Sequence, residues 1–260
     1  AIVVGRDGAG NPLPSLAAGW LPVPAYWPIV LPLGTYWPEF LRSFGFALIA
    51  TVLALLIGYP IAYLVAVRLR GRTLLQGLLL VLIIAPFFSS FILRTQSWRI
   101  ILSDEGFVVS ALKALALLPE GGRLTATAFA VVAGLTYNFL PFMALPIYAN
   151  LERLDIRLIE AGADLYASPA QTFRRVTLPL STPGIMAGTL LTFIPASGDY
   201  INAVLLGNNV NTTMIGQVID SRFFRAVDYP TAAALSSILM FAILILVTLY
   251  VRRFGTRDLI

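Results

Sequence analysis

Apolar residues in this chain gather into five long runs, and the segments between them carry most of the charge. The runs are Arg42–Val67, Leu74–Leu93, Thr125–Ala149, Gly184–Leu206 and Thr231–Val251. Each holds about 20 or more mostly apolar residues; at about 1.5 Å per helical residue that length crosses the ~30 Å hydrocarbon core of a bilayer. The pattern predicts five membrane-spanning helices. The second run has the least definite end, because it continues through Arg94 to Trp98. Pro60, Pro86, Pro141, Pro146 and Pro195 fall inside or near the runs, where a helix bundle in lipid tolerates them.

Two segments break the alternation. Residues 1–41 are rich in Pro, Gly and aromatic residues, and repeated Pro forbids a continuous helix. Trp20, Tyr26, Trp27, Tyr36 and Trp37 suit a membrane interface. This stretch predicts an extracytoplasmic loop lying on the membrane surface. The other is Leu151–Gly184, which carries eight charges between two apolar runs: Glu152, Arg153, Asp155, Arg157, Glu160, Asp164, Arg174 and Arg175. Leu151, Leu154, Leu158 and Leu165 recur at helical spacing and are expected near one face. Ser168-Pro169-Ala170-Gln171 then reads as a fresh helix start, with Ser168 as cap, Pro169 in the first position and Gln171 as the reciprocal partner of a capping box. A structured loop of two short helices is the expectation.

Composition agrees with a polytopic all-α membrane helix bundle: 58% hydrophobic and 12% charged residues, with a mean hydropathy of +0.84. The chain has neither Cys nor His, which excludes Cys/His metal sites, thiol catalysis and histidine acid–base chemistry. The net charge of +5 is accounted for by basic residues flanking the runs, so no nucleic-acid partner is needed. Arg68, Arg70 and Arg72, then Arg153, Arg157, Arg174 and Arg175, and finally Arg252, Arg253 and Arg257 fall on one side of an alternating topology. By the positive-inside rule that side is the cytoplasm, which puts the C-terminus inside and residues 1–41 outside. An outer N-terminal segment leads us to expect a sixth helix preceding Ala1.

The order Glu160-Ala161-Gly162, Tyr166 and Val176-Thr177-Leu178-Pro179 resembles the "EAA" loop by which permease subunits of ABC importers meet their ATPases. Two positions depart from that pattern. Gly162 stands in place of the second Ala and Tyr166 in place of a Gly, so the turn at Tyr166 is expected to be built differently. Further similarity lies in Gly58-Tyr59-Pro60-Ile61-Ala62-Tyr63, Ala85-Pro86-Phe87-Phe88, Tyr137-Asn138-Phe139-Leu140-Pro141 and Phe193-Ile194-Pro195-Ala196-Ser197-Gly198. From Arg42 onward the chain is similar to the permeases of spermidine/putrescine importers. That resemblance implies a type I importer fold of six helices, of which five are visible here. It implies a second homologous permease, two ATP-binding cassette subunits carrying ATP and Mg, and an extracytoplasmic substrate-binding protein. It also implies a coupling loop over 150–183, inside a permease domain spanning 42–260. Glu160, Ala161, Gly162, Tyr166, Phe173, Arg174, Leu178 and Pro179 would then meet the ATPase, Phe173 as a buried anchor and Glu160 and Arg174 as polar contacts.

Candidate pathway residues come from polarity at membrane depth. Asp199 lies mid-run beside Gly198, and Pro195 and Gly198 both favour a broken helix. Its carboxylate either meets a cationic substrate, or pairs with an Arg, or caps the half-helix after the break. Tyr200 and Asn202 either line the path or bond helix to helix. Arg94 and Trp98 either line it or serve as outer anchors. Apolar residues at helical spacing over 214–223 predict a short amphipathic helix on the outer face or plugging the bundle; residues 110–118 predict another outer helix. Asp104 and Glu105 have no catalytic constellation around them, and no Walker-type phosphate loop occurs, so no ATP or other cofactor is expected on this chain. Two rivals stand beside the polyamine permease: a permease of the same kind for sugars or phosphate esters, and an ion-coupled carrier using Asp199 as its relay.

Overall fold

The computed structural model describes residues 3–6, 12–14, 35–119, 121–164 and 166–254. Two short strands, β1 (Val3–Arg6) and β2 (Pro12–Pro14), pair antiparallel. From residue 35 onward the described chain is helical, as its apolar periodicity demands. Trp20, Tyr26, Trp27 and Leu165 lie outside the described residues.

The first span begins earlier than expected. Helix α1 (Trp37–Tyr63) starts with Pro38 in its first turn, where a missing N–H costs nothing, and continues as a π-helical turn to Arg68. Residues 37–41, expected in the outer loop, therefore belong to the span. Along α1 most buried positions are small, namely Ser43, Ala47, Ala50, Thr51, Ala54, Gly58 and Ala62, with the larger Phe40 and Tyr59 towards its two ends. A stripe of small side chains lets two backbones approach closely in lipid. The partner is α5 (Ala128–Glu152), the most buried span, with 61% of its apolar window inside the protein against 17% for α11 (Tyr229–Phe254).

The second run does not continue to Trp98 as one helix. Helix α2 (Thr73–Ile84) tightens into a 3₁₀ turn over Ala85–Phe88, and the chain then turns by 98° into α3 (Phe91–Ile101). Pro86 cannot donate to the preceding turn, Ser89 takes an extended conformation, and the Ser89 hydroxyl donates to the Pro86 carbonyl at 2.9 Å. Arg94 and Trp98 consequently sit on a separate segment. The fourth run also breaks: α9 (Thr182–Ser197) ends at Gly198, and after Asp199 and Tyr200 the chain resumes into a π-helical turn, Ala203–Gly207. Pro195 stays inside the last turn of α9, so the break falls at Gly198.

Gly184 and Gly188, one turn apart on α9, carry that helix against α5. A Cβ at Gly188 would lie 2.8 Å from the Met143 carbonyl oxygen, and one at Gly184 would lie 2.9 Å from that of Pro146. The two short helices only partly match the expected segments: the one expected over 110–118 runs Phe107–Ala114, and the one expected over 214–223 is α-helical over Ile215–Asp220 and π-helical beyond it. Helix α4 (Phe107–Ala114) precedes α5, and α10 (Ile215–Asp220) packs between α1 and α11. Its Ile215 packs with Phe40, Ala234, Leu235 and Leu239, and its first amide donates to the Ser43 hydroxyl at 2.7 Å. Arg42 ties the same loop down by donating to the carbonyls of Val210 and Thr213. Asp104 pairs with Arg123 at 3.1 Å, both exposed.

Candidate functional site: the 150–183 loop and the broken fourth span

The loop begins where α5 ends. Leu151 and Leu154 are buried, but Leu158 is 47% exposed and does not share their face. The chain turns at Arg153–Asp155 before α6 (Ile156–Asp164), which breaks the phase of the leucine pattern. Helix α7 (Pro169–Thr172) starts with the expected capping box. The Ser168 hydroxyl accepts from the Gln171 amide at 3.3 Å, and the Gln171 side-chain oxygen accepts from the Ser168 amide at 2.9 Å. A π turn, Phe173–Thr177, and a single turn, α8 (Leu178–Leu180), lead to the 62° bend into α9. Leu178 and Pro179 are exposed at that bend.

Between α6 and α7 stands Tyr166. Its φ is +60°, and the Ala167 amide donates to the Gly162 carbonyl at 3.0 Å. This six-to-one bond with a left-handed residue inside it is a Schellman closure of α6, a position that favours Gly. The turn is thus the ordinary left-handed one, carried by a Tyr at a cost of about 1 kcal/mol, and not the different construction expected. The Tyr166 ring is fully exposed. Gly162 serves a different need: a Cβ there would come within 2.8 Å of the Thr172 hydroxyl, so its absence lets α6 and α7 close on each other.

Phe173 points inward. Its half-buried ring stands edge-on to Tyr59 and to Tyr63, with centroids 5.7 and 5.8 Å away. Within this chain it anchors the loop itself against the C-terminal end of α1, from which Tyr59 and Tyr63 come. The Tyr59 hydroxyl also hydrogen-bonds the buried Ser181 hydroxyl at 2.9 Å. Arg70, from the turn after α1, donates to the carbonyls of Glu152 and Leu154 at the end of α5. Gln76 bonds the Tyr148 hydroxyl and the Glu152 carboxylate. Sequence reasoning counted Arg70 only among the basic residues flanking the runs and passed over Gln76, a polar residue near the start of the second run; the fold brings the end of α5 to both. Glu160, Ala161, Arg174 and Arg175 are exposed, and the two arginines line an open groove of about 630 Å³ with Ala170 and Gln171.

The second site surrounds the break. Asp199 is 8% exposed, and its Oδ1 accepts from the Asn202 amide at 2.8 Å, so it caps the turn that follows. Neither ion pair among the described residues involves it. Asn202 is fully buried, and its Oδ1 accepts from Asn138 Nδ2 at 3.1 Å; the same amide group of Asn138 donates to the Thr95 hydroxyl at 2.9 Å. Three segments, α3, α5 and the chain after the break, are joined by this buried polar cluster. Asn202 is therefore a helix-to-helix link. Thr95 and Asn138 were missed as site residues, although Asn138 is a polar group deep within an apolar run. Tyr200 is 43% exposed. Arg94 lays its guanidinium over the Phe91 ring at 5.6 Å, and Trp98 packs edge-on against Tyr137 at 5.4 Å. The structure brings Asp199 to Asn202 and Asn202 to α3, while Arg94 and Trp98 engage aromatic neighbours.

The family described as the binding-protein-dependent transport system inner membrane component matches residues 58–257. The chain is 39% identical over 212 residues to the spermidine/putrescine transport system permease protein PotB of Salmonella typhimurium (strain SL1344), covering 82% of this chain and 72% of that one. Identity to PotB of Escherichia coli (strain K12) is also 39%, over 82% of this chain and 76% of its relative. The fold matches a solved bacterial ABC transporter involved in the import of the acidic polysaccharide alginate, with a TM-score of 0.64 at 17% identity, over 85% of this chain and 80% of that one. A loop joining the continuous third span to the broken fourth, closed against α1 by Phe173, is thus set in a fold shared with importers. The ion-coupled carrier reading falls away, and the chain belongs to the binding-protein-dependent transport system inner membrane component family, as a permease subunit of an ABC importer.

Proposed function

We propose that this chain forms half of a translocation pathway for polyamines of the spermidine and putrescine class, driven by ATP hydrolysis on partner subunits. The observation that carries the reading is the 39% identity to spermidine/putrescine permeases over 82% of the chain. The carboxylate of Asp199, at the break of the fourth span and without a cationic partner among the described ion pairs, supports a cationic solute. The second half of the pathway is a homologous permease, and a substrate-binding protein delivers polyamine from outside.

In this reading the permease domain begins with the first span at Trp37, and the segment before it lies on the outer side. The 150–183 loop and the C-terminus face the cytoplasm, in line with the arginines that gather on that side. Two ATP-binding cassette subunits bind ATP and Mg; this chain hydrolyses none, and its loop docks one of them through the exposed Glu160, Arg174 and Arg175. Tyr59, Tyr63 and Phe173 make the docked loop one rigid piece with α1, so closure of the ATPase pair moves the spans rather than the loop alone.

The test is reconstitution of the chain with its second permease, ATPase and binding protein in proteoliposomes. ATP hydrolysis and uptake stimulated by a spermidine- or putrescine-loaded binding protein is the expected result. Stimulation only by a sugar or a phosphate ester would overturn the substrate class.

A further inference from the structure

Between the first turn of α1 and the π turn Ser221–Arg225 that continues α10 lies an open pocket of about 530 Å³, lined by Tyr36, Glu39, Val218, Ser221, Arg222 and Arg225. Its charges are opposite but do not meet. Glu39 Oε2 is shielded from solvent and accepts no hydrogen bond, and neither ion pair among the described residues involves Glu39 or Arg225. Arg222 lies over the Tyr36 ring at 5.8 Å and reaches Asp228 only at 3.9 Å. A carboxylate held from water is costly unless a cation or donor comes to it. The pocket also sits where spans begin. Glu39 stands in the first turn of the helix that starts at Trp37, and Phe223 packs on Phe224 and on Tyr229, the first residue of α11. Aromatic rings gather at the headgroup level of a bilayer, and Phe224 and Val227 are exposed beside this pocket.

We propose that this pocket takes the headgroup of a phospholipid that carries a free ammonium beside its phosphate, the chemistry of phosphatidylethanolamine. Glu39 receives the ammonium, and Arg222 and Arg225 receive the phosphate, which guanidinium groups suit. A polycation would meet two arginines for one carboxylate, so the pocket is not a second polyamine site. A purely anionic headgroup would leave Glu39 uncompensated. The zwitterion answers both charges at once, and its acyl chains continue into the bilayer that the two spans cross. The site belongs to this chain whatever solute the importer carries, and so stands apart from the polyamine reading.

The experiment compares the assembled importer, as wild type, as Glu39→Gln and as Arg222→Gln with Arg225→Gln. Retention of added phosphatidylethanolamine, phosphatidylcholine and phosphatidylglycerol is read by native mass spectrometry, and thermal midpoints are read in nanodiscs of phosphatidylcholine with and without phosphatidylethanolamine. The wild type is expected to prefer phosphatidylethanolamine to phosphatidylcholine, whose trimethylated nitrogen donates no hydrogen bond, and to gain stability from it. Glu39→Gln is expected to lose about tenfold in that retention while phosphatidylglycerol binds as well or better. The double arginine variant loses both lipids. In phosphatidylcholine alone Glu39→Gln is expected to match the wild-type midpoint; a midpoint lowered equally in both membranes would make Glu39 a structural residue and overturn the proposal. Equal retention of phosphatidylethanolamine by wild type and Glu39→Gln would overturn it too. Glycerophosphoethanolamine, the headgroup without acyl chains, binding as tightly as the lipid would assign the pocket to a soluble compound instead. Weaker capture of the substrate-binding protein by the variants, at unchanged lipid retention, would give this face to that protein and likewise overturn the proposal.

Discussion

Phe173 and Tyr59 meet edge to face, with ring centroids 5.7 Å apart and planes at 87°. The contact spans the 150–183 loop and the C-terminal end of α1, and the same Tyr59 reaches Ser181 at the start of the fourth span. One aromatic residue therefore holds both the π turn that follows α7 and the bend that leads into α9. Edge-on aromatic pairs contribute about 0.5–1.5 kcal/mol beyond the area they bury, which suits a joint that must stay closed while the parts on either side move.

Replacing Phe173 by Ala removes both aromatic contacts. The ring is half-buried, so the local cost is about 2 kcal/mol, below that of a fully buried ring. The loop then swings without carrying α1 and α9. ATP hydrolysis by the assembled importer is expected to continue while substrate uptake falls several-fold. The check is the ratio of solute imported to ATP hydrolysed in proteoliposomes, and a ratio equal to that of the wild type would remove the joint from the coupling path.

A Gly188→Ala change tests the closeness of α5 and α9. The new Cβ would lie 2.8 Å from the Met143 carbonyl oxygen and 2.9 Å from its sulfur; the backbone oxygen cannot rotate away. Overpacking of this kind costs about 1–3 kcal/mol. Gly45 of α1 is the internal control, because a Cβ there meets nothing within 4 Å and Ala is the better helix former by about 1 kcal/mol. Thermal unfolding in detergent is expected to show Gly188→Ala lowered and Gly45→Ala level or raised. Equal midpoints for the two variants would mean that the helices adjust without strain.

How much of this was legible depended on how far apart the interacting residues lie in the chain. The first, third and fifth spans follow from long apolar runs, and the capping box at Ser168 from four consecutive residues, so these were readable. The right-angle turn after Phe88 was not, because Pro86 is compatible with a kink inside a continuing span and only the extended Ser89 decides otherwise. The direction of Phe173 depends on Tyr59 and Tyr63, more than a hundred positions earlier. The Thr95–Asn138–Asn202 cluster joins residues 43 and 64 positions apart. The Gly184–Gly188 pair and the small-residue stripe of α1 emerge only from the structure, since nothing in their spacing names the helix they face.

Asp199 carries two separable tasks, and a pair of substitutions divides them. Its Oδ1 holds the Asn202 amide at 2.8 Å, and Asn202 in turn bonds Asn138, so loss of the cap would loosen the cluster that ties α3 to α5. Asn caps as well as Asp does, whereas Ala forfeits about 1 kcal/mol. Asp199→Asn is therefore expected to assemble with a midpoint like that of the wild type, and Asp199→Ala with a lower one. Only the charge differs between Asp and Asn, and a buried carboxylate without a cationic neighbour attracts a passing polyamine far more strongly than the neutral amide does. Polyamine uptake in proteoliposomes is expected to fall at least about tenfold in Asp199→Asn, a difference of about 1.4 kcal/mol in the pathway. Full uptake with a normal midpoint would confine Asp199 to the cap and leave the recognition of charge to residues of the second permease.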